Sequence, residues 1–427
     1  MFEFGRNRIR SRMMGVLVSA LLLTLLASPA QLYGVKKKKK DEQVAKKPTW
    51  MEMLDTSKIV WPNPPAIARI RYLNTYTGEK LQLEQKKEKK ASWKDRLAGA
   101  DPDADKSKAK NRYALGAPYG LAVDSKNRLY VADTKVGAIF VFNTETGEVE
   151  MIRNGHEGHF SRITGLAIDD GDRLFVSDNG LKHVAVFSPQ RKLEANISDG
   201  MLDPAGIAID NENRFLYVCD TALDQVLVYD ADTFKLLRKI GTTGKAHTLT
   251  TPGDFGSPTN AAVDGDGNLY VSDTLNNRVE IFDADGKFDS TFGKTGDGPG
   301  YFARPKGIAI DADGHVWVAD AVQDRVQVFT KEGQLLIWMG SPGLLPGQFR
   351  ALAGLTIDKN NRLYTSEQFP GRVQMFRYTT NDEALVEKAK RDAEQETKVN
   401  AKAQRAAEKD NKASANVQPA GGENAPK

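Results

Sequence analysis

Five histidines and one cysteine are the residues of this chain best suited to metal or nucleophilic chemistry. His156 and His159 stand three apart, His183 follows, and His247 and His315 lie farther along. Imidazole is the commonest zinc ligand, and three converging nitrogens would leave a coordination position open for water or substrate. Sequence spacing alone does not bring these histidines together. His156, His159 and His183 are therefore weak metal candidates against the plainer reading of solvated loop residues, and no cofactor is expected. Cys219 excludes an intrachain disulfide and a cysteine-rich zinc module by its count, and its place in the strand-like FLYVCD marks it as a packing thiol. DGDGNLYVSD and DADGHVWVAD begin like calcium loops, but Leu275 and Val322 fall where an EF-hand loop needs a bidentate Glu. The chain contains no GxSxG elbow, P-loop or HExxH motif.

What must position these residues is an internal repeat. Six short apolar segments end in Asp124, Asp169, Asp210, Asp264, Asp311 and Asp358, 41 to 54 residues apart. Each is followed by a second segment ending in Asp133, Asp178, Asp220, Asp273, Asp320 or Glu367, and six residues later a third begins. The period is that of strands, and the first turn carries Asn, Asp or Gly, as in Asp266-Gly267 and Asp313-Gly314, which tolerate positive φ. A fourth segment (GEVEMI, RKLEANI, KLLRKI, GKFDSTF, QLLIWM) completes every copy but the last. Four strands per unit and six units predict an all-β fold, a six-bladed β-propeller of four-stranded antiparallel blades over 113–378. A small residue alternates with a large one along each first strand, as close approach at the axis requires. Leu115, Phe160, Met201, Phe255, Phe302 and Phe349, one per copy, read as plugs between blades.

The sixth copy lacks its fourth strand. Residues 67–77, IARIRYLNTYT, are the free strand expected to complete it and so remove an unpaired edge. Residues 31–66 and 78–112 read as basic or Pro-rich linkers, and 379–427 as a charged helical and then disordered tail. At the start, Arg6, Arg8, Arg10 and Arg12 precede an apolar run from Met13 to Ala27 and the small residues Ser28-Pro29-Ala30. Residues 1–30 thus read as a signal peptide, or as an uncleaved anchor helix, and the expected location is periplasmic or extracellular. Lys36 to Lys40 directly after the cut run against easy translocation.

The copies resemble NHL repeats, on the strength of PxGIAID, LYVAD, NNRVEIFD and GDGPGYFARPKG within residues 115 to 378. The proline-rich lead-in is similar to that of bacterial exported members. The resemblance implies a propeller that presents a loop face to a protein, a peptide, RNA or, less often, a substrate. It also implies that Arg278, Arg325 and Arg372, five residues past the second-strand acid, help pin that acid. The zinc lyases among such propellers place a ligand His four residues after the second-strand Asp. Here that column is Gly137, Lys182, Asp224, Asn277, Asp324 and Gly371, and His183 is one place off, which in a strand is the opposite face. A lactonase-type centre would need hard ligands at the channel mouth. The residues there are Tyr119, Thr164, Ala205, Thr259, Lys306 and Ala353, and the polar departures from regular columns are Asn260 and Glu367.

The longest step holds an insertion, Gly241 to Pro258, and insertions in repeat proteins gather on the binding face. Tyr119, Thr164, Thr259, Lys306, Lys245 and His247 are accordingly the candidate binding residues, for a protein, peptide or small ligand. The formal charge of +4 hides a division: residues 113–378 carry 26 basic and 35 acidic side chains, whereas residues 1–112 carry 25 and 12. An acidic disc argues against nucleic acid, while the basic leader could touch an anionic membrane surface. The leading expectation is an exported, non-catalytic binding scaffold in the cell envelope. The alternatives are a propeller lyase or lactonase with a metal at the channel mouth, and nucleic-acid or anionic-surface binding through the leader.

Overall fold

The computed structural model describes residues 54–78, 114–153, 159–242 and 251–415. The leader, the Lys-rich linker, His156, Lys245 and His247 lie outside the described residues. Six antiparallel sheets surround an axis; five have their strands in sequence order, and the sixth joins strands from the two ends of the described chain. The first strands are Pro118–Val123, Ile163–Ile168, Pro204–Asp210, Pro258–Val263, Pro305–Ile310 and Leu352–Ile357. Each contacts the next around the ring, and the sixth contacts the first, so these strands line the axis. Second strands such as Leu269–Asp273 and Val316–Asp320 are buried along their whole length. Fourth strands such as Leu335–Met339 alternate between half-buried and exposed, as befits a wetted outer edge.

The core is a set of six seams, each shared by two neighbouring blades. Phe160 packs with Val141 of blade 1 and Val176 of blade 2. Phe302 packs with Val279 of blade 4 and Val318 of blade 5. Leu115, Met201, Phe255 and Phe349 occupy the other four seams in the same way. All six plug residues are buried, and full burial of one such side chain is worth about 1.5–3 kcal/mol. Blades cohere because each lends its apolar face to the next. The tight first turns place Asn127, Asp172, Arg214, Gly267, Gly314 and Asn361 at positive φ.

Blade 6 is completed from the other end of the described chain. The strand expected over 67–77 is observed as Ile70–Tyr76, paired antiparallel with Arg372–Tyr378 from Ile70↔Tyr378 to Tyr76↔Val373. A two-residue strand, Val60–Trp61, adds to its outer edge, so this blade has five strands. Helix α1, Asn381–Ala415, follows. Thr380 and Glu383 cap it reciprocally, the Thr380 amide donating to Glu383 Oε2 (3.0 Å) and the Glu383 amide to Thr380 Oγ1 (3.4 Å). Arg69 ties its start to the closing strand, donating to the Thr380 carbonyl and to Asn381 Oδ1. Its run of Ala, Glu, Lys and Arg favours helix, and among the described residues no helix is long and apolar enough to cross a membrane.

Candidate functional site

The upper face holds the starts of the first strands, the turns between second and third strands, and the loops that join blades. The lower face holds the hairpin turns. On the upper face, the second-strand Asp residues bind both their own turn and the loop leading into their blade, while Glu367 accepts from the loop amide of Arg350 and the Arg372 side chain. Asp320 accepts from the amides of Ala303, Arg304, Val322 and Gln323. Asp133 and Asp220 do the same in blades 1 and 3. These acids are turn acceptors that also fix the loops of the upper face. Arg278 and Arg372 donate to Asp273 (3.1 Å) and Glu367 (2.8 Å), but Arg325 instead lies over the Trp338 ring. The first-strand acids serve the lower face. Asp264 accepts from the amides of Asp266 and Asn268, a hairpin turn rather than a calcium loop.

At the upper end of the axis, side chains from three blades meet. Tyr119 enters from blade 1, and its carbonyl is held by the Ser366 hydroxyl of blade 6 (2.6 Å). Its ring carries the Lys306 ammonium of blade 5 at 5.4 Å from the centroid. Its hydroxyl lies beside the Asn260 amide of blade 4, diametrically opposite blade 1, so the ring spans the channel. Burial pushes the Tyr119 hydroxyl up to about 12, against the opposing pull of Asn260 and Arg304. Burial, together with the nearby Arg304 charge, pulls the Lys306 ammonium below its ordinary value. Lys306 has no ion-pair partner among the described residues.

Of the other expected binding residues, Thr164 and Thr259 are ties within the ring. The Thr164 hydroxyl shares a hydrogen bond with Ser177 Oγ (3.2 Å) and reaches the Pro204 carbonyl (3.2 Å). Thr259 is buried against Thr274 Oγ1 (2.6 Å), which donates to the Pro305 carbonyl across the seam. Both threonines therefore spend their hydroxyls on holding blades together. His159 is exposed and close enough to His183 to disfavour its protonation, although burial is the larger cause of the lowered His183 pKa. Among the described residues no three His, Cys, Asp or Glu side chains are placed to hold a metal. Cys219 is buried in its strand, and burial raises its thiol pKa strongly.

Three features escaped the sequence reading. Asn260 stands out as an irregularity in a glycine column, but its place opposite Tyr119 has no sequence signal. The rim carries three exposed arginines, Arg162, Arg304 and Arg350, on a disc that is acidic overall. The lower part of the channel holds a cavity of about 460 Å³, lined by Val123, Ile168 and Ile310 and by Asp124, Asp169 and Asp358.

Against this geometry, the NHL repeat family matches residues 115–142, and a family described as 6-bladed beta-propeller matches residues 259–326. The chain folds as a six-bladed β-propeller with an NHL-repeat match in its first blade. No curated protein matches it in sequence. Among solved structures, this propeller is similar to a Bacteroides thetaiotaomicron protein of unknown function, with 17% identity over 62% of this chain and 70% of the other, at a TM-score of 0.50. It is also similar to a streptogramin B lyase, with 13% identity, 62% and 94% coverage and a TM-score of 0.48. A gluconolactonase from Xanthomonas campestris shares 19% identity, with 62% and 89% coverage and a TM-score of 0.45. At these identities the likeness is one of fold.

Proposed function

We propose that this NHL propeller is an exported, non-catalytic scaffold of the cell envelope that binds a partner through its upper face. The observation that carries this reading is the asymmetry of that face. At the second residue past the second-strand acid, blades 1 to 3 place Lys135, Gly180 and Ala222. At the same position blades 4 to 6 place Leu275, Val322 and Phe369, which are 38%, 60% and 55% exposed. The joining loops add exposed Tyr301, Leu344 and Leu345 to the same half, against Val136 and Leu202 on the other. A clustered arc of exposed apolar side chains beside a basic rim is the mark of an interaction surface. Export rests on the Arg-flanked apolar run at 6–30, and the basic residues that follow it suit an anionic membrane surface.

The test is capture from an envelope fraction by the intact chain and by a Val322→Asp, Phe369→Asp variant. The expected result is a partner retained by the first and lost, by at least tenfold, from the second. Equal capture by both would refute the assignment of the face. Stoichiometric zinc or calcium retained through purification would replace the scaffold reading with the lyase or lactonase one.

A further inference from the structure

The first-strand glycine column is Gly120, Gly165, Gly206, Asn260, Gly307 and Gly354. Its glycines are demanded by contact. A Cβ on Gly165 would lie 2.5 Å from the Ala205 carbonyl of the next blade, and one on Gly354 would lie 2.0 Å from the Tyr119 carbonyl. In blades 2 and 6 a second-strand serine uses this closeness. Ser177 and Ser366 accept from the glycine amide (2.7 and 2.8 Å) and donate to the next blade's carbonyl, that of Ala205 or Tyr119. Ser272 is the equivalent residue of blade 4 and stands opposite Asn260 in register. Its hydroxyl is buried without a partner, and Nδ2 of Asn260, though beside the Tyr119 hydroxyl, makes no hydrogen bond of normal geometry. The departure from the repeat therefore leaves polar capacity unused at the channel end. Beside it stands Lys306, a half-buried cation whose neighbours are an aromatic face and another cation, Arg304. Buried charge is ordinarily paired, and every unused group here can donate a hydrogen bond.

We propose that the upper end of the channel is a binding site for one carboxylate group. Lys306 supplies the counter-charge, Asn260 Nδ2 and the Tyr119 hydroxyl donate to the two oxygens, and Ser272 stands behind Asn260. A single ammonium matches a monoanion, and the arginine rim would draw the anion in. The carboxylate belongs either to a small organic acid or to the C-terminus of a docked peptide. Its biological meaning rests on the upper face being the binding face.

The experiment is calorimetric titration of the full chain at fixed ionic strength with acetate, with succinate, and with a tripeptide as free acid and as C-terminal amide. The expected result is one saturable site per chain, weakened at least tenfold in Lys306→Met. Asn260→Gly, which restores the repeat and so should fold well, is expected to weaken it about fivefold. Binding of acetate or succinate would support a small acid as the source, and binding of only the free-acid tripeptide would support a peptide C-terminus. The Val322→Asp, Phe369→Asp variant should retain carboxylate binding even where partner capture is lost, which separates this site from the docking surface. Absence of saturation with any carboxylate would overturn the proposal. So would unchanged affinity in both Lys306→Met and Asn260→Gly, or equal binding of inorganic phosphate or of the tripeptide amide.

Discussion

Blades 4 and 6 are built from the same repeat and differ at positions that matter. In blade 6, Gly354 touches the next blade, and Ser366 bonds across the seam. Gln374 accepts from the Gly347 amide (2.8 Å) and donates to the Gln348 carbonyl (2.8 Å). In blade 4 the corresponding residues are Asn260, Ser272 with no partner, and Glu280. Glu280 accepts from the Gly253 amide (2.8 Å) and pairs with Arg278, and so anchors the end of the inserted loop. Burial pushes its carboxyl up to about 7 despite Arg278 and the Gly253 amide. At these positions the blade that closes the ring bonds across its seam and the blade beside the insertion does not, although Thr365 Oγ1 of blade 6 is itself buried without a partner. The comparison teaches that one repeat can spend the same positions on holding a seam in one blade and leave them unused in another, and such local cost is often found where proteins bind.

The largest expected effect comes from breaking the blade that closes the ring. Removing residues 1–77 takes away the closing strand, the buried Ile70 and Tyr76, and the ladder to Arg372–Tyr378. Calorimetry should show a loss of more than about 5 kcal/mol, from apolar burial and unmade edge hydrogen bonds together. An unchanged melting temperature would mean that the ring does not depend on this strand. Next, Gly354→Asn copies the blade 4 residue into blade 6. The added Cβ would meet the Tyr119 carbonyl at 2.0 Å, so a loss of about 3 kcal/mol in denaturant unfolding is expected. A neutral result would show that the two seams are equivalent after all.

Glu280→Gln copies blade 6 into blade 4, and its effect depends on pH. From about 4.5, the ordinary glutamate value, to about 7, the native chain holds a proton that the unfolded chain has lost. Stability contributed by this residue therefore falls as pH rises through that window and is level above it. The variant should gain about 1–3 kcal/mol at pH 8 and little at pH 4, read from melting curves across pH. A gain independent of pH would mean that the buried carboxyl does not titrate in this range. The smallest effect is that of Asn260→Gly, which returns Ser272 to the geometry of Ser177 and Ser366. A gain of about 1 kcal/mol in denaturant unfolding is expected, and a loss of stability would mean that Asn260 is itself a structural tie.

Much of this molecule was legible in its residues. The six acids of each column, the turn residues at fixed offsets and the plug residues are local, and repetition made each visible six times over. The seams followed, because a sheet with two apolar faces must find a neighbour on each side. The closing strand was legible by subtraction, since one copy lacked a strand and one strand lacked a copy. The binding residues were harder. Tyr119 and Lys306 were drawn from their column and do meet, whereas Thr164 and Thr259, from the same column, turn their hydroxyls into the ring. A column records how far along its strand a side chain lies, and says nothing of which neighbour lies nearest across the axis.

The sequence by itself determined the ring: its blade count, cores and closure, because each depends on spacing that the chain writes out repeatedly, whereas the fifth strand of blade 6, Val60–Trp61, lay in a stretch read as linker. Only the tertiary structure decided which irregularities meet. Tyr119 and Asn260 are 141 residues apart, and closure of six blades places them on opposite walls of one channel. No local interaction encodes that contact. It follows from the circumference of the ring, which is a property of all six blades together.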